Sequence, residues 1–106
     1  MTRAYKGFTP RMGVYRVTHV PSGRTLLGHS THVEGLLNRF RFQLTHGSHA
    51  NRAMQRDWQA TGPDSFTFEV LDDLTPTTPG EEPVDDLKEL LSLWQEKLNI
   101  PPGLQY

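Results

Sequence analysis

The sequence predicts an α+β domain, a small three-stranded antiparallel sheet flanked by three helices, in the order strand, strand, helix, helix, strand, helix. Three observations carry this. Residues 13–30 read as strand, tight turn and strand, with clean alternation before the turn. Three later segments place apolar residues at helical spacing. Between the second and third of them, "SFTFEVL" returns to a period of two.

The first strand, about residues 13–19, sets Val14, Arg16 and Thr18 on one side and Tyr15, Val17 and His19 on the other. Pro21-Ser22-Gly23 turns the chain, and Leu26-Leu27-Gly28 closes a second strand of about residues 24–28. The first helix lies within "STHVEGLLNRFRFQLTHG". Thr31 and Glu34 spell a capping box, Gly47 is a natural stop, and Val33, Leu37, Phe40 and Leu44 form an apolar stripe. Gly35 weakens the first turn, so the start can slip by a residue or two. A second helix follows in "SHANRAMQRDWQATGP". Ser48 is its expected N-cap, Ala50, Ala53, Met54 and Trp58 its buried face, and Gly62-Pro63 its end.

The third strand, about residues 66–72, points Phe66, Phe68 and Val70 to one side. Residues 72–83 hold three prolines and no periodicity and read as an exposed loop. "VDDLKELLSLWQEKLN" is a third helix with Leu87, Leu90, Leu91, Trp94 and Leu98 facing inward. Pro101 and Pro102 cannot continue it. The domain is expected over 13–100, after an N-terminal extension, 1–12, and before a short tail, 101–106.

At 106 residues the chain has room for one core. It has no cysteine, which excludes disulfides and Cys-based zinc sites. No apolar run approaches the roughly 18 residues that span a bilayer, and the N-terminus carries no signal-peptide core, so a cytoplasmic, membrane-free protein is expected. Charge is sharply divided. Residues 1–58 hold nine Lys and Arg and all five histidines against two acids, Glu34 and Asp57. The remainder holds ten acids against Lys88 and Lys97. Such a split suggests a polyanion-facing half, although two halves that simply attract each other would show the same pattern.

The short motifs sharpen that reading. "GVY" at 13–15, "LLG" at 26–28, "GSHAN" at 47–51, "MQRDW" at 54–58, "FTFEVL" at 66–71 and a last helix with Trp94 follow one another in order and spacing. Together they resemble the GIY-YIG nuclease domain over residues 13–98. The resemblance implies single-metal phosphodiester cleavage. A first-strand tyrosine helps activate water, a first-helix arginine steadies the phosphate charge, a histidine assists, and a last-helix glutamate binds the metal. All of these suit a crowded anionic transition state. Tyr15 and His49 match the tyrosine and the histidine. Leu26 stands at the second motif's tyrosine, Leu36 at the arginine and Leu91 at the glutamate.

Arg39, one turn beyond Leu36, is the candidate replacement arginine, so the expected catalytic set is Tyr15, His49 and Arg39. Glu89 lies about 200° around the helix from Leu91 and replaces it poorly. Arg16, Arg24, Arg41, Arg52 and Arg56 are the candidates for backbone phosphates, and His49 is expected at a helix start that favours an anion. Each has a plainer reading. Tyr15 can be a core aromatic, His49 a capping residue, the arginines solvated helix faces, and Glu69 a solvated strand position. The pairs His29/His32 and His46/His49 lack a third metal ligand. Phe42 lies opposite the apolar stripe, where it can stack on a base, meet a partner chain or sit under the N-terminal "RAYKGF".

Three functions fit. The first is a nucleic-acid-binding, nuclease-like domain, with DNA the expected partner and cleavage lost or weakened. The second is an active endonuclease with relocated groups, for which magnesium is the expected cofactor. The third is a protein-interaction module using the acidic last helix.

Overall fold

The computed structural model describes residues 11–75 and 83–106. The expected extension at 1–12 falls outside the described residues apart from Arg11 and Met12, and so does most of the loop expected at 72–83. Three strands, β1 (Met12–His19), β2 (Arg24–Ser30) and β3 (Phe66–Leu74), form one antiparallel sheet in the order β2-β1-β3. Helices α1 (Val33–Thr45) and α2 (Arg52–Thr61) lie between β2 and β3 in sequence, and α3 (Val84–Leu98) follows β3. The α+β fold and the element order are as the sequence predicts. β2 and β3 each run two residues further, so Asp73 and Leu74 belong to a strand rather than to a loop. No helix among the described residues is long and apolar enough to cross a membrane.

Both faces of the central strand are covered. Tyr15 and Val17 enter a cluster with Val33, Leu37 and Leu44 of α1, Met54 of α2 and Phe66 of β3. Val14 points the other way by strand alternation and is also fully buried, as is Leu87 of α3; both lie outside that cluster. Each such aliphatic side chain removed from water contributes about 1.5–3 kcal/mol. The inward positions expected for α3, Leu87, Leu90, Leu91, Trp94 and Leu98, are the sheltered ones. Trp94 is half-buried, and its indole N–H donates to the Asp72 carboxylate at 3.1 Å, which ties α3 to β3.

Three local expectations are corrected. α1 begins after His32 with no side-chain cap, so the Thr31/Glu34 capping box does not form. Instead Ser30 Oγ accepts the His32 N–H, and Glu34 pairs with Arg11 at 3.6 Å. Asn51, not Ser48, caps α2: its Oδ1 accepts the Met54 N–H at 3.0 Å. Ser48 hydrogen-bonds back to the Gln43 carbonyl and belongs to the end of α1. Ala50, now outside the helix, is exposed, while Gln55 takes a buried place on α2.

The tail is tied to the sheet edge. α3 ends at Asn99 in the left-handed conformation, φ 46°. The chain then reaches β2, where the Tyr106 N–H donates to the Thr25 carbonyl at 3.0 Å. Tyr106 Oη hydrogen-bonds the Asp57 carboxylate on α2.

The two motif glycines of the hairpin are explained by close approach. β1 and β3 shift register between Val14, opposite Asp72, and Tyr15, opposite Val70, so Leu71 is an extra residue that forms a bulge. A Cβ on Gly13 would lie 2.0 Å from the Asp72 carbonyl oxygen. A Cβ on Gly28, the partner of Tyr15 in β2, would lie 2.3 Å from the Tyr15 hydroxyl. The tyrosine ring therefore lies across bare backbone. Gly35 on α1 has nothing within 4 Å of its Cβ position among the described residues. Gly13→Ala is expected to cost about 1–3 kcal/mol by forcing the strands apart. Gly35→Ala is expected to gain about 0.5–1 kcal/mol by raising helix propensity. Urea denaturation of the two variants reads both signs.

Candidate nucleic-acid interface

Three rings link the residues expected to carry chemistry. Tyr15 meets Phe40 edge-to-face with centroids 5.8 Å apart, and Phe40 meets His49 edge-to-face at 4.7 Å. Tyr15 and His49 thus lie on one side of the sheet, with Phe40 packed between them. Leu36, where the resemblance implies an arginine, packs against the same core, as does Leu26. Arg39 precedes Phe40 on α1 and is exposed; among the described residues no hydrogen bond or ion pair joins it to Tyr15 or His49. Burial raises the Tyr15 phenol above its ordinary pKa.

His49 is 6% exposed and sits three residues before α2, so it does not occupy the helix start expected for it. Its Nδ1 accepts the Asn51 N–H at 3.0 Å, which puts the proton of the neutral ring on Nε2. That Nε2 is buried and has no hydrogen-bond partner among the described residues. Gln55 holds the segment in place: its Oε1 accepts the His49 N–H at 3.0 Å and its Nε2 donates to the Leu44 carbonyl at 2.9 Å. Periodicity does not reveal Gln55, because a polar residue on a buried face looks like a solvated one until its two backbone partners are known.

The arginines separate into two groups. Arg16 lies on the sheet face opposite Tyr15, and its guanidinium grips Glu69 with Nε and a terminal nitrogen both 2.7 Å from Oε1. Glu69 is therefore an ion-pair partner rather than a solvated strand residue. Arg24 donates to both oxygens of Asp57, at 2.9 and 3.2 Å. Burial pushes Asp57 up, but hydrogen bonds from Tyr106 and Arg24 outweigh it and hold the carboxyl below its ordinary pKa. Burial and the same hydrogen bond push the Tyr106 phenol well up.

Arg41, on the helical side, lays its guanidinium 4.3 Å over the Phe68 ring. Arg52 and Arg56 line a shallow hollow with Gly47, Gln55 and Gln59. Among the described residues no acid pairs with Arg39, Arg41, Arg52 or Arg56.

The donor set does not fit the metal that the resemblance implies. Leu91 offers hydrocarbon where a carboxylate would be needed, and no three of the described His, Asp and Glu residues converge on one point.

No protein-family model matches the chain, and none of the curated proteins matches it. Solved structures do. The chain is similar to the catalytic domain of the homing endonuclease I-TevI, with a TM-score of 0.67 and 21% identity over 90% of this chain and 95% of that one. It is similar also to a glutamate-to-alanine variant of the catalytic domain of the intron endonuclease I-TevI, with a TM-score of 0.64 and 22% identity over 84% of each chain. The protein therefore has the fold of a GIY-YIG nuclease catalytic domain.

Burial holds His49 below its ordinary pKa of 6.5. The unfolded chain then binds a proton at this residue before the folded one does, so stability present above about pH 6.5 is lost as pH falls below it. His49→Gln is expected to flatten that part of the profile. Melting temperature between pH 7 and 5 is the measurement, and an equally acid-sensitive variant contradicts the assignment.

Proposed function

We propose that this chain is a nucleic-acid-binding domain on a nuclease fold, with phosphodiester cleavage lost or weak. The observation that carries the reading is the pairing pattern of the charges. The two acids of α1 and α2, Glu34 and Asp57, pair with Arg11 and Arg24. Arg39, Arg41, Arg52 and Arg56 on the same helices are left without acids among the described residues. Unpaired cations on one layer attract a phosphate backbone and release its counterions. Both similar structures are of the catalytic domain of one endonuclease, which makes DNA the first ligand to test. A cytoplasmic location suits that ligand. Leucines at 36 and 91 remove the phosphate-facing arginine and the metal-facing carboxylate, so cleavage has little to work with.

A second reading, an active endonuclease with relocated groups and a magnesium requirement, draws on one observation. Among the described residues His49 keeps a buried ring nitrogen without a partner, in the aromatic cluster that holds Tyr15.

Affinity for labelled DNA is expected to fall steeply with salt, with a log–log slope of about −3.6 if all four arginines engage phosphates. Arg52→Ala with Arg56→Ala should weaken binding to all sequences about equally and flatten the slope by about 2. Supercoiled plasmid should stay intact with magnesium or manganese. Nicking that chelator and Tyr15→Phe both abolish would establish the second reading instead.

A further inference from the structure

Phe42 stands on the wrong side of its helix for a core residue. It lies 200° from Phe40 at 100° per residue, and it is 62% exposed. One turn on, His46 stacks against it with ring centroids 4.2 Å apart and a tilt of 34°. The His46 Nδ1 is 2.8 Å from the Phe42 carbonyl, and a carbonyl only accepts, so Nδ1 carries the proton and the bond holds the imidazole beside the phenyl ring. The two rings form a preset aromatic surface at the C-terminal end of α1. It faces away from the cluster of Tyr15, Phe40 and His49.

The surroundings of that surface are cationic. Arg39 lies one turn before Phe42 on α1 and is exposed. Gly47, which follows His46 directly, shares a hollow with Arg52 and Arg56. Glu34 and Asp57, the acids of α1 and α2, are held by Arg11 and Arg24.

We propose that Phe42 and His46 are a stacking platform for unpaired nucleobases, and that Arg39, Arg52 and Arg56 hold the flanking phosphates. Single-stranded nucleic acid is then the ligand of this face, a refinement that rests on the nucleic-acid-binding reading above. Base faces are open in a single strand and hidden in a duplex, so an exposed aromatic pair selects the former. The cations select a polyanion. A protein partner fits less well, because Phe42 is the single large exposed hydrophobic on α1 and α2 among the described residues and offers no extended apolar patch.

The test compares three labelled probes: a short oligothymidylate, an abasic strand with the same number of phosphates, and a duplex of the same length. Phe42→Ala is expected to weaken oligothymidylate binding roughly 5- to 100-fold. Binding of the abasic strand and the duplex should barely change, and so should the salt slope. Phe42→Trp should keep or improve oligothymidylate binding. The residue is exposed, so melting curves should match the parent protein. Unchanged oligothymidylate affinity in Phe42→Ala, with binding still lost in Arg52→Ala/Arg56→Ala, would overturn the platform and leave the general nucleic-acid reading standing. Failure of the parent protein to bind any probe at low salt would overturn both. Self-association that Phe42→Ala abolishes and oligothymidylate does not compete with would assign the ring to a second copy of the chain and overturn the platform.

Discussion

At Tyr15 the central strand is pressed from two directions, and the placement of every other element follows from how it fits. On one edge the bulge at Leu71 brings the Asp72 carbonyl against Gly13, where no side chain can stand. On the other, the ring of Tyr15 lies across Gly28 of β2. The tyrosine is thereby turned toward Phe40 and the helical layer, and the sheet can carry a covered core on each face. Packing accounts for this tyrosine whether or not its hydroxyl does chemistry.

The same sheet sorts the charges. Arg16 faces away from α1 and α2 and is matched by Glu69 across the strand pair, while Arg24 is drawn into the Asp57–Tyr106 contact that holds the tail to α2. Both guanidinium groups are engaged by a carboxylate, although their side chains remain partly exposed. The arginines on α1 and α2 have no such partners among the described residues and set the potential of that layer. A basic half in the sequence thus becomes two populations of arginine with different work to do.

Around Tyr15 and His49, leucine stands where the nuclease resemblance implies a tyrosine, at 26, and an arginine, at 36. Leu26 and Leu36 pack against the core, and Phe40 fills the space between the two polar rings. Apolar side chains pack there without the desolvation cost of a buried, unpaired charge. Among the described residues, His49 Nε2 is buried beside these side chains without a hydrogen-bond partner.

The order of elements along the chain, the three helices and the apolar faces of α1 and α3 were legible in the sequence, because periods of two and 3.6 are local properties that each segment displays by itself. Tyr15 and His49 were singled out by the resemblance of their motifs, and the structure brings both against Phe40. The caps were not. Thr31 and Ser48 had the right chemistry, but the turns before α1 and after Gly47 were set by longer-range contacts such as the Val33 N–H on the Arg11 carbonyl and Gln55 on Leu44. Nor could the sequence distinguish Arg16 and Arg24 from Arg52 and Arg56. An ion pair needs its partner within about 4 Å, and Glu69 and Asp57 reach that distance only through strand register and helix docking. The sequence by itself determined the elements and their buried faces; the tertiary structure alone decided which charges were paired and which were left without an acid among the described residues.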